Sequence, residues 1–181
     1  MLLRALTESD LRPLPSRTTE LLRQLDAPPR LAAHLRAVHD VAAQLTDWFA
    51  GRLELDADAV LFGAATHDIG KVIHRDELSG PGHRHEPAGR ELLLSHGIPA
   101  HLARFAATHA SWTAPDITAE DLVVSLADKI WKAKRVRDLE ELVVARLPGE
   151  PWQAFIELDD ELTRIAATAD HRLVFQSAYP V

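Results

Sequence analysis

The sequence predicts an all-α fold in one domain over residues 1–181. Apolar residues recur three and four positions apart along almost the whole chain, as in helices that bury one face. Prolines and glycines separate these segments, and no internal repeat or low-complexity segment is present. A length of 181 residues, 46% of them hydrophobic, is sufficient for one core.

Prolines and one long apolar stripe define the first predicted helices. A short helix is expected over about 16–26, and the prolines of "DAPPR" suit the start of a helix over about 30–50. A third helix over residues 57–69 ends at Gly70. The buried stripe of the long helix consists of Leu31, Leu35, Val38, Val41, Ala42, Leu45, Trp48 and Phe49.

The centre of the chain begins with a loop. The segment "DELSGPGHRHEPAG", residues 76–89, is rich in glycine and proline and predicts a mobile loop. It leads into a helix over about 86–96, with Pro87 in the first turn and Gly97 after its end. A further helix is expected from Pro99 to about residue 110.

The remaining chain is also helical. Thr118 and Asp121 have the spacing of a capping box, which predicts the start of a helix that continues to about residue 135. Two more amphipathic helices are expected over about 137–175, separated by "PGEP" at 148–151. They suit elements that pack on the rest of the fold.

Composition excludes several classes of site. The chain has no cysteine, so it has no disulfide, zinc ribbon, iron–sulfur cluster or thiol nucleophile, and nitrogen and oxygen must hold any metal. A net charge of -7 argues against a broad basic face for duplex nucleic acid. "MLLRALTESD" lacks the apolar core of a signal peptide, and no apolar run approaches the roughly 20 residues of a membrane span. A cytoplasmic protein without a membrane partner is the expectation.

The segment "GAATHDIGK", residues 63–71, places two ionisable neighbours at the end of an apolar helix. Burying His67 and Asp68 is unfavourable unless a partner such as a metal ion satisfies them. The four small residues before them allow a neighbouring helix to come close. At the last turn of a helix, both side chains can reach one ion.

Asp128 gives an independent indication of a buried cation. It lies between Val124 and Trp131 on a helix that is apolar on nearly every side, so its carboxylate should be largely buried. A buried carboxylate without a partner costs several kcal/mol or takes up a proton. The alternatives are a metal ion and an ion pair with a basic neighbour such as Lys132.

Histidines are concentrated in the same region. Seven of the 10 lie between residues 67 and 109. His34 lies on the buried stripe of its helix, whereas His39 lies at the edge of that stripe; His109 also points inward, and His85 follows the loop. Taken singly, such histidines are usually ordinary core residues. Together, four imidazoles and two carboxylates are sufficient for two metal ions that share a carboxylate: His34, His67, Asp68, His85, His109 and Asp128.

The order of these residues resembles the HD-domain superfamily of metal-dependent phosphohydrolases. The similarity covers about residues 28–135 and rests on "PPRLAAHLRAVHDVA", "HDIGK", "HEPAGRELL", "ATHAS" and "LADK". It implies a compact helical bundle with additional C-terminal helices. It also implies one metal held by His34, His67, Asp68 and Asp128, and a second site completed by His85 and His109 with Asp68 bridging.

The resemblance also implies a reaction. A water activated by one or two divalent ions (Mn, Fe, Co, Ni, Zn or Mg) would cleave a phosphate ester of a small phosphorylated molecule or nucleotide. Asp68 and Lys71 are the predicted catalytic residues, Asp68 by bridging and orienting the water. Lys71, Lys129 and Arg84 are the predicted contacts to substrate, and His83 lies beside Arg84 on the loop. The chain departs from the single-metal nucleotidase members of the family, which usually carry a glutamate where Lys71 and Val72 stand.

Two further hypotheses belong to other classes. A catalytically silent HD fold could sense a nucleotide or bind a partner, although such copies commonly lose some of the six side chains. A wholly structural helical protein would contain the same histidines by coincidence, and their number and order argue against it.

Overall fold

A computed structural model describes residues 1–8 and 10–181, and within these residues the secondary structure is helical without strands. The predicted all-α fold is therefore confirmed. The α-helices are α1 (Leu2–Thr7), α2 (Ser16–Gln24), α3 (Pro29–Phe49), α4 (Ala57–Thr66), α5 (His85–Ser95), α6 (Ala100–Ala103), α7 (Phe105–Thr108), α8 (Ala119–Ile130), α9 (Arg137–Val144), α10 (Pro151–Ala166) and α11 (Ala169–Ser177). Two short 3-10 helices, Ile69–Val72 and Arg75–Leu78, lie between α4 and α5.

Helix α3 is the centre of the bundle. Pro29 occupies its first turn, as "DAPPR" predicted, because a proline there loses no helical hydrogen bond. Its predicted stripe from Leu31 to Phe49 is buried, except that Trp48 is only partly covered. Helices α1, α4, α8 and α11 all pack against α3, so a side chain that points inward from α3 faces several elements at once.

Helix α4 is shorter than predicted. The Asp56 side chain accepts a hydrogen bond from the Ala59 N–H at 3.0 Å and caps its start. The helix ends at Thr66 instead of continuing to residue 69, because the backbone leaves the helical conformation at Asp68 (φ -101°, ψ 10°). This turn points His67 and Asp68 toward the same place.

Glycines, which have no side chain, allow two close approaches between segments around this turn. A Cβ atom at Gly63 would lie 2.6 Å from the Phe105 ring, so glycine lets the segment after α6 pack directly on α4. A Cβ at Gly70 would overlap the carbonyl oxygen of His85. Gly89 faces Gly70 from α5, and the two backbones therefore touch. These contacts bring the start of α5 against the end of α4.

The predicted loop at 76–89 is shorter than expected. Its first residues belong to the 3-10 helix Arg75–Leu78, and α5 begins at His85, one residue before the predicted start. Glu77 is buried and ties this segment to α5. The helix predicted from Pro99 to about 110 divides into the short helices α6 and α7 at Arg104.

The capping box of α8 is confirmed. The Thr118 hydroxyl accepts from the Asp121 N–H, and the Asp121 carboxylate accepts from the Thr118 N–H at 3.1 Å. The helix ends at Ile130, five residues before the predicted end, and Ala133 follows with a positive φ of 57°.

Three helices follow, where two were predicted. The region after "PGEP" forms α10 and α11, separated at Ala167 and Thr168. Helix α9 packs on α8, α10 on α9, and α11 on α3. Buried Arg172 of α11 donates to the Trp131 carbonyl oxygen at 2.8 Å and thereby fixes α11 against the end of α8. Helix α1 was not predicted; it packs on α3.

His39 was predicted at the edge of the α3 stripe, and the structure instead buries it, leaving 3% exposed. Burial, together with the nearby positive charge of Arg12, lowers its pKa to about 4. His39 therefore remains neutral near pH 7. The charged groups that influence its pKa are Arg12, Asp40 and Arg36, and not the other inward histidines.

No helix in the described part of the chain has the length and apolarity needed to cross a membrane.

Candidate metal centre

All six side chains predicted as metal ligands meet in one place. Five come from residues that are buried, and the Asp128 side chain is 13% exposed. They originate from four separate parts of the fold: α3, the end of α4, the region from α5 to α7, and α8. The six are His34, His67, Asp68, His85, His109 and Asp128.

The first half of the cluster surrounds one oxygen of Asp68. His34 Nε2 lies 3.2 Å from Asp68 Oδ2 and 3.2 Å from His67 Nε2. His67 Nε2 lies 3.7 Å from the same Asp68 oxygen and 3.4 Å from Asp128 Oδ1. Four donor atoms from three helical segments thus surround a single point.

The second half of the cluster faces the other oxygen of Asp68. His85 Nε2 lies 3.0 Å from Asp68 Oδ1, and His109 Nε2 lies 3.5 Å from it. One carboxylate therefore presents each of its oxygens to a different pair of imidazoles. This is the arrangement expected of a carboxylate that bridges two cation sites.

Main-chain and carboxylate oxygens determine which nitrogen of each ring faces the cluster. His67 Nδ1 lies 2.9 Å from the Ala64 carbonyl oxygen, and His109 Nδ1 lies 3.1 Å from that of Ala106. His85 Nδ1 lies 2.6 Å from Glu77 Oε2. Because these oxygens only accept hydrogen bonds, Nδ1 of each ring must carry the hydrogen atom. In a neutral ring, Nε2 therefore directs a lone pair toward the cluster.

Atoms with lone pairs consequently face one another across the centre. The buried His85 Nε2 has no hydrogen-bond partner within residues 1–8 and 10–181, although Asp68 Oδ1 is close. Such an arrangement is repulsive unless a proton or a metal cation lies between the atoms. Donors bonded about 2.1 Å from one ion lie about 3.0–3.4 Å apart. Separations of 3.0, 3.2 and 3.4 Å in the cluster lie within this range, and those of 3.5–3.8 Å lie slightly beyond it. The residues present therefore fit one or two divalent ions.

The pKa values show the same attraction for positive charge. Burial opposes ionisation of Asp68 and Asp128, but the neighbouring histidines outweigh it and hold the pKa of both carboxyls well below the usual range. Burial lowers the pKa of His109 to about 4, so this ring is neutral near pH 7. Burial also opposes protonation of His85, yet Asp68 and Glu77 outweigh it and raise its pKa.

Two lysines contact the carboxylates. Lys71 Nζ donates to Asp68 Oδ2 at 2.5 Å, and Lys129 Nζ donates to Asp128 Oδ2 at 2.5 Å. The ion-pair alternative for Asp128 named Lys132 as an example of a basic neighbour; the lysine that contacts Asp128 is Lys129, whereas Lys132 is exposed. Asp128 thus has both a lysine partner on Oδ2 and the imidazole of His67 beside Oδ1.

Glu77 belongs to this site and was missed in the sequence. Its carboxylate accepts from the His85 N–H at 3.1 Å, in addition to the His85 ring and the Arg84 guanidinium. Burial opposes its ionisation, but these hydrogen bonds outweigh it and lower its pKa to about 2. In a segment rich in turn residues, no apolar spacing distinguishes Glu77 from its exposed neighbours. The spacing of eight residues between Glu77 and His85 is not a recognisable sequence pattern either.

The loop residues expected to approach substrate lie outside the cluster. The Arg84 side chain is 60% exposed and pairs with Asp76 and with Glu77. His83 is exposed and pairs with Glu86 at 2.7 Å. The arrangement brings Arg84 against the back of Glu77 and does not bring it to the cavity described next.

A cavity of about 270 Å³ opens beside the cluster. Its walls combine two of the cluster residues with three cations, three apolar side chains and one amide. These are His34, Asp68, Arg30, Lys71, Lys132, Leu78, Trp131, Leu173 and Gln176. Of the predicted substrate contacts, Lys71 lines the cavity, whereas Lys129 lies beside Trp112 with its ammonium 5.6 Å from the ring centre.

Comparison with known proteins agrees with this geometry. The family model described as HD domain matches residues 31–131, which is more than half of the chain and contains all six clustered residues. Neither the curated proteins nor the solved structures compared with the chain gave a significant match. The helical bundle, the clustered histidines and aspartates, and the matched family model together show that this chain belongs to the HD-domain family.

Proposed function

We propose that the protein is a metal-dependent phosphohydrolase that cleaves a phosphate ester of a small phosphorylated molecule. The observation that carries the proposal is the position of Asp68, whose two oxygens face separate imidazole pairs. Membership of the HD-domain family supports the same reaction class.

The donor set defines which residues would hold the ions. His34, His67, Asp68 and Asp128 would hold the first, and Asp68, His85 and His109 the second. When bound, such ions supply a water of lowered pKa and neutralise charge on the phosphoryl oxygens. The nitrogen and oxygen donors suit Mn, Fe, Co, Ni or Zn, and Mg to the extent that carboxylates dominate.

The protein's own residues would position the substrate. His34, Asp68 and Lys71 line the cavity, so a phosphate in it lies against the cluster. Lys71 is only 19% exposed, and its ammonium can exchange its bond with Asp68 for one with a phosphate oxygen. Lys129 holds Asp128 in place beside His67, and we retain it as a candidate contact to substrate.

Hydrolysis of 4-nitrophenyl phosphate and bis(4-nitrophenyl) phosphate tests the proposal. Protein loaded with Mn²⁺ should release nitrophenol, a chelator should abolish the release, and Asp68→Asn should lower it by more than about a hundredfold. Asp138→Asn is the matched control, because Asp138 is exposed on α9 and removed from the cluster. Unchanged activity in Asp68→Asn would refute the assignment of the chemistry to this site.

The same samples separate an enzyme from a silent binding module. Elemental analysis should find transition metal in the wild-type protein and less in Asp68→Asn. A protein that retains the metal but hydrolyses neither ester nor a panel of phosphorylated metabolites would support the binding module. The complete set of six donor residues favours the enzyme.

A further inference from the structure

The cavity beside the cluster carries two cations that no carboxylate neutralises. Arg30 donates to the main-chain oxygens of Tyr179 and Ser177, at 3.1 and 3.4 Å, and forms no ion pair in the described part of the chain. Lys132 likewise has no carboxylate partner within residues 1–8 and 10–181, and its ammonium lies 5.8 Å from the Trp131 ring. Two such cations on one cavity are unexpected in a protein with a net charge of -7.

Both cations lie four residues along the chain from a cluster residue. Arg30 precedes His34 by four residues in α3, and Lys132 follows Asp128 by four residues, in the turn after α8. Residues four apart on a helix have side chains about 5–6 Å apart, which places Arg30 about one helical turn from His34. Because Arg30 and Lys132 line the same cavity, they are displaced from the cluster toward the same side.

Apolar side chains line the cavity together with these cations. Leu78, Trp131 and Leu173 are among its lining residues, and the Trp131 ring packs edge-on against His34 with ring centres 4.9 Å apart. A short carbon chain can therefore lie against these side chains without depriving polar groups of the protein of hydrogen bonds. The volume of about 270 Å³ suits a compact molecule.

We propose that the cavity selects a phosphate ester whose leaving group carries a second anionic group, which Arg30 and Lys132 bind. The substrate class is a compact bisphosphate or phosphocarboxylate, and the inference rests on the proposed function for the identity of the first phosphate. The first anionic group lies at Asp68 and Lys71, and the second lies about one helical turn away.

The residues that make this second subsite lie outside the matched family segment. Arg30 and Lys132 flank residues 31–131 on either side, and Leu173 and Gln176 come from α11. The family segment thus contains the cluster, while its flanks supply the selectivity of this chain. Arg172 holds α11 in position through the Trp131 carbonyl oxygen.

Calorimetry with two matched ligands tests the second subsite without hydrolysis. The probes are 4-phosphonobutanoate and butylphosphonate, which differ only by one carboxylate, and the protein is the full chain loaded with Mn²⁺. The wild-type protein should bind 4-phosphonobutanoate at least about tenfold more tightly. Lys132→Gln and Arg30→Gln should each reduce this preference, and the double variant should remove it.

Controls keep the outcomes distinct. Lys134→Gln removes an exposed lysine two residues from Lys132 that does not line the cavity, and it should keep the full preference. Because Arg30 also binds the C-terminal main chain, the exposed Lys132 is the decisive single variant. Equal binding of both probes, binding of neither, or a preference that survives in the double variant would overturn the proposal.

The two proposals fail in different ways. A preference for 4-phosphonobutanoate without hydrolysis of either nitrophenyl ester or of any metabolite in the panel would refute the enzyme and leave the second subsite. Metal-dependent hydrolysis with equal binding of both probes would refute the second subsite and leave the enzyme.

Discussion

Glu77 lies 2.6 Å from His85 Nδ1, and this bond turns the other nitrogen of the ring toward Asp68. The 3-10 helix Arg75–Leu78 therefore supports the half of the cluster that contains His85 and His109. His67 and His109 receive the same support from main-chain carbonyl oxygens, so His85 is the one ring of these three that depends on a side chain.

Removing the Glu77 carboxylate should weaken the second cation site and spare the first. Glu77→Gln should lower the affinity for the second metal by about 10- to 100-fold, because the ring of His85 loses its fixed orientation and part of its basicity. Elemental analysis at limiting Mn²⁺ measures the change as a fall in bound metal. Glu86→Gln, which affects the pair with exposed His83 on the other side of the loop residue Arg84, is the control, and equal metal content in the two variants would contradict this role.

Removing bound metal should destabilise the folded protein. The cluster gathers lone pairs that only the folded state holds together, so a metal stabilises that state by about 2.7 kcal/mol at a free concentration one hundred times its dissociation constant. For a chain of this size, each kcal/mol corresponds to about 2–4 °C in melting temperature. Differential scanning calorimetry with and without a chelator measures the shift. An identical melting temperature would indicate that Lys71 and Lys129 alone compensate the carboxylates.

A side chain at residue 70 should separate α5 from the end of α4. Gly70→Ala places a methyl group in the space of the His85 carbonyl oxygen, and we expect a loss of about 3 kcal/mol in the free energy of unfolding. The displaced His85 should also bind the second metal less well. Urea unfolding measures the first effect and metal titration the second.

The control for this substitution is Gly149→Ala. Gly149 has a positive φ of 94° but open space around a Cβ atom, so it measures backbone strain of about 1–2 kcal/mol alone. A Gly70→Ala variant that unfolds no more easily and keeps two metals would show that the contact between the two segments yields readily.

Buried His39 should make the protein less stable in mild acid. Its folded pKa of about 4 lies below the value of 6.5 for an exposed histidine, so the unfolded chain takes up a proton that the folded chain refuses. The resulting stability is complete above pH 6.5 and falls by about 1.4 kcal/mol per pH unit as the pH decreases from 6.5 to 4. His39→Gln should reduce that slope, as measured by urea unfolding at pH 7, 6 and 5 with a fixed metal content.

A substitution at a buried position also lowers stability at every pH. The test is therefore the slope of the unfolding free energy against pH, and not the free energy at one pH. His101→Gln, at an exposed position, should keep the wild-type slope. Parallel curves for wild type and His39→Gln would show that another group carries the acid sensitivity.

The sequence by itself determined the principal helices and the set of clustered residues, but not α1 or the division of α6 from α7. Helical hydrogen bonds connect residues four apart, so apolar spacing, the prolines of "DAPPR" and the capping box of Thr118 and Asp121 specify α3 and α8 locally. Pairs such as "HD" and the inward position of His34 depend on the same short-range pattern. The order of the motifs then indicated which distant side chains should meet.

Only the tertiary structure decided how those residues are used. Asp128 pairs with its neighbour Lys129 and not with Lys132. Three further relationships join residues from separate elements: each Asp68 oxygen faces a different imidazole pair, buried Glu77 contacts His85, and α11 lines the cavity. Such contacts depend on the angle and distance at which helices pack, which many side chains set together. No local pattern encodes them, because the free energy that selects them comes from burial across the whole bundle.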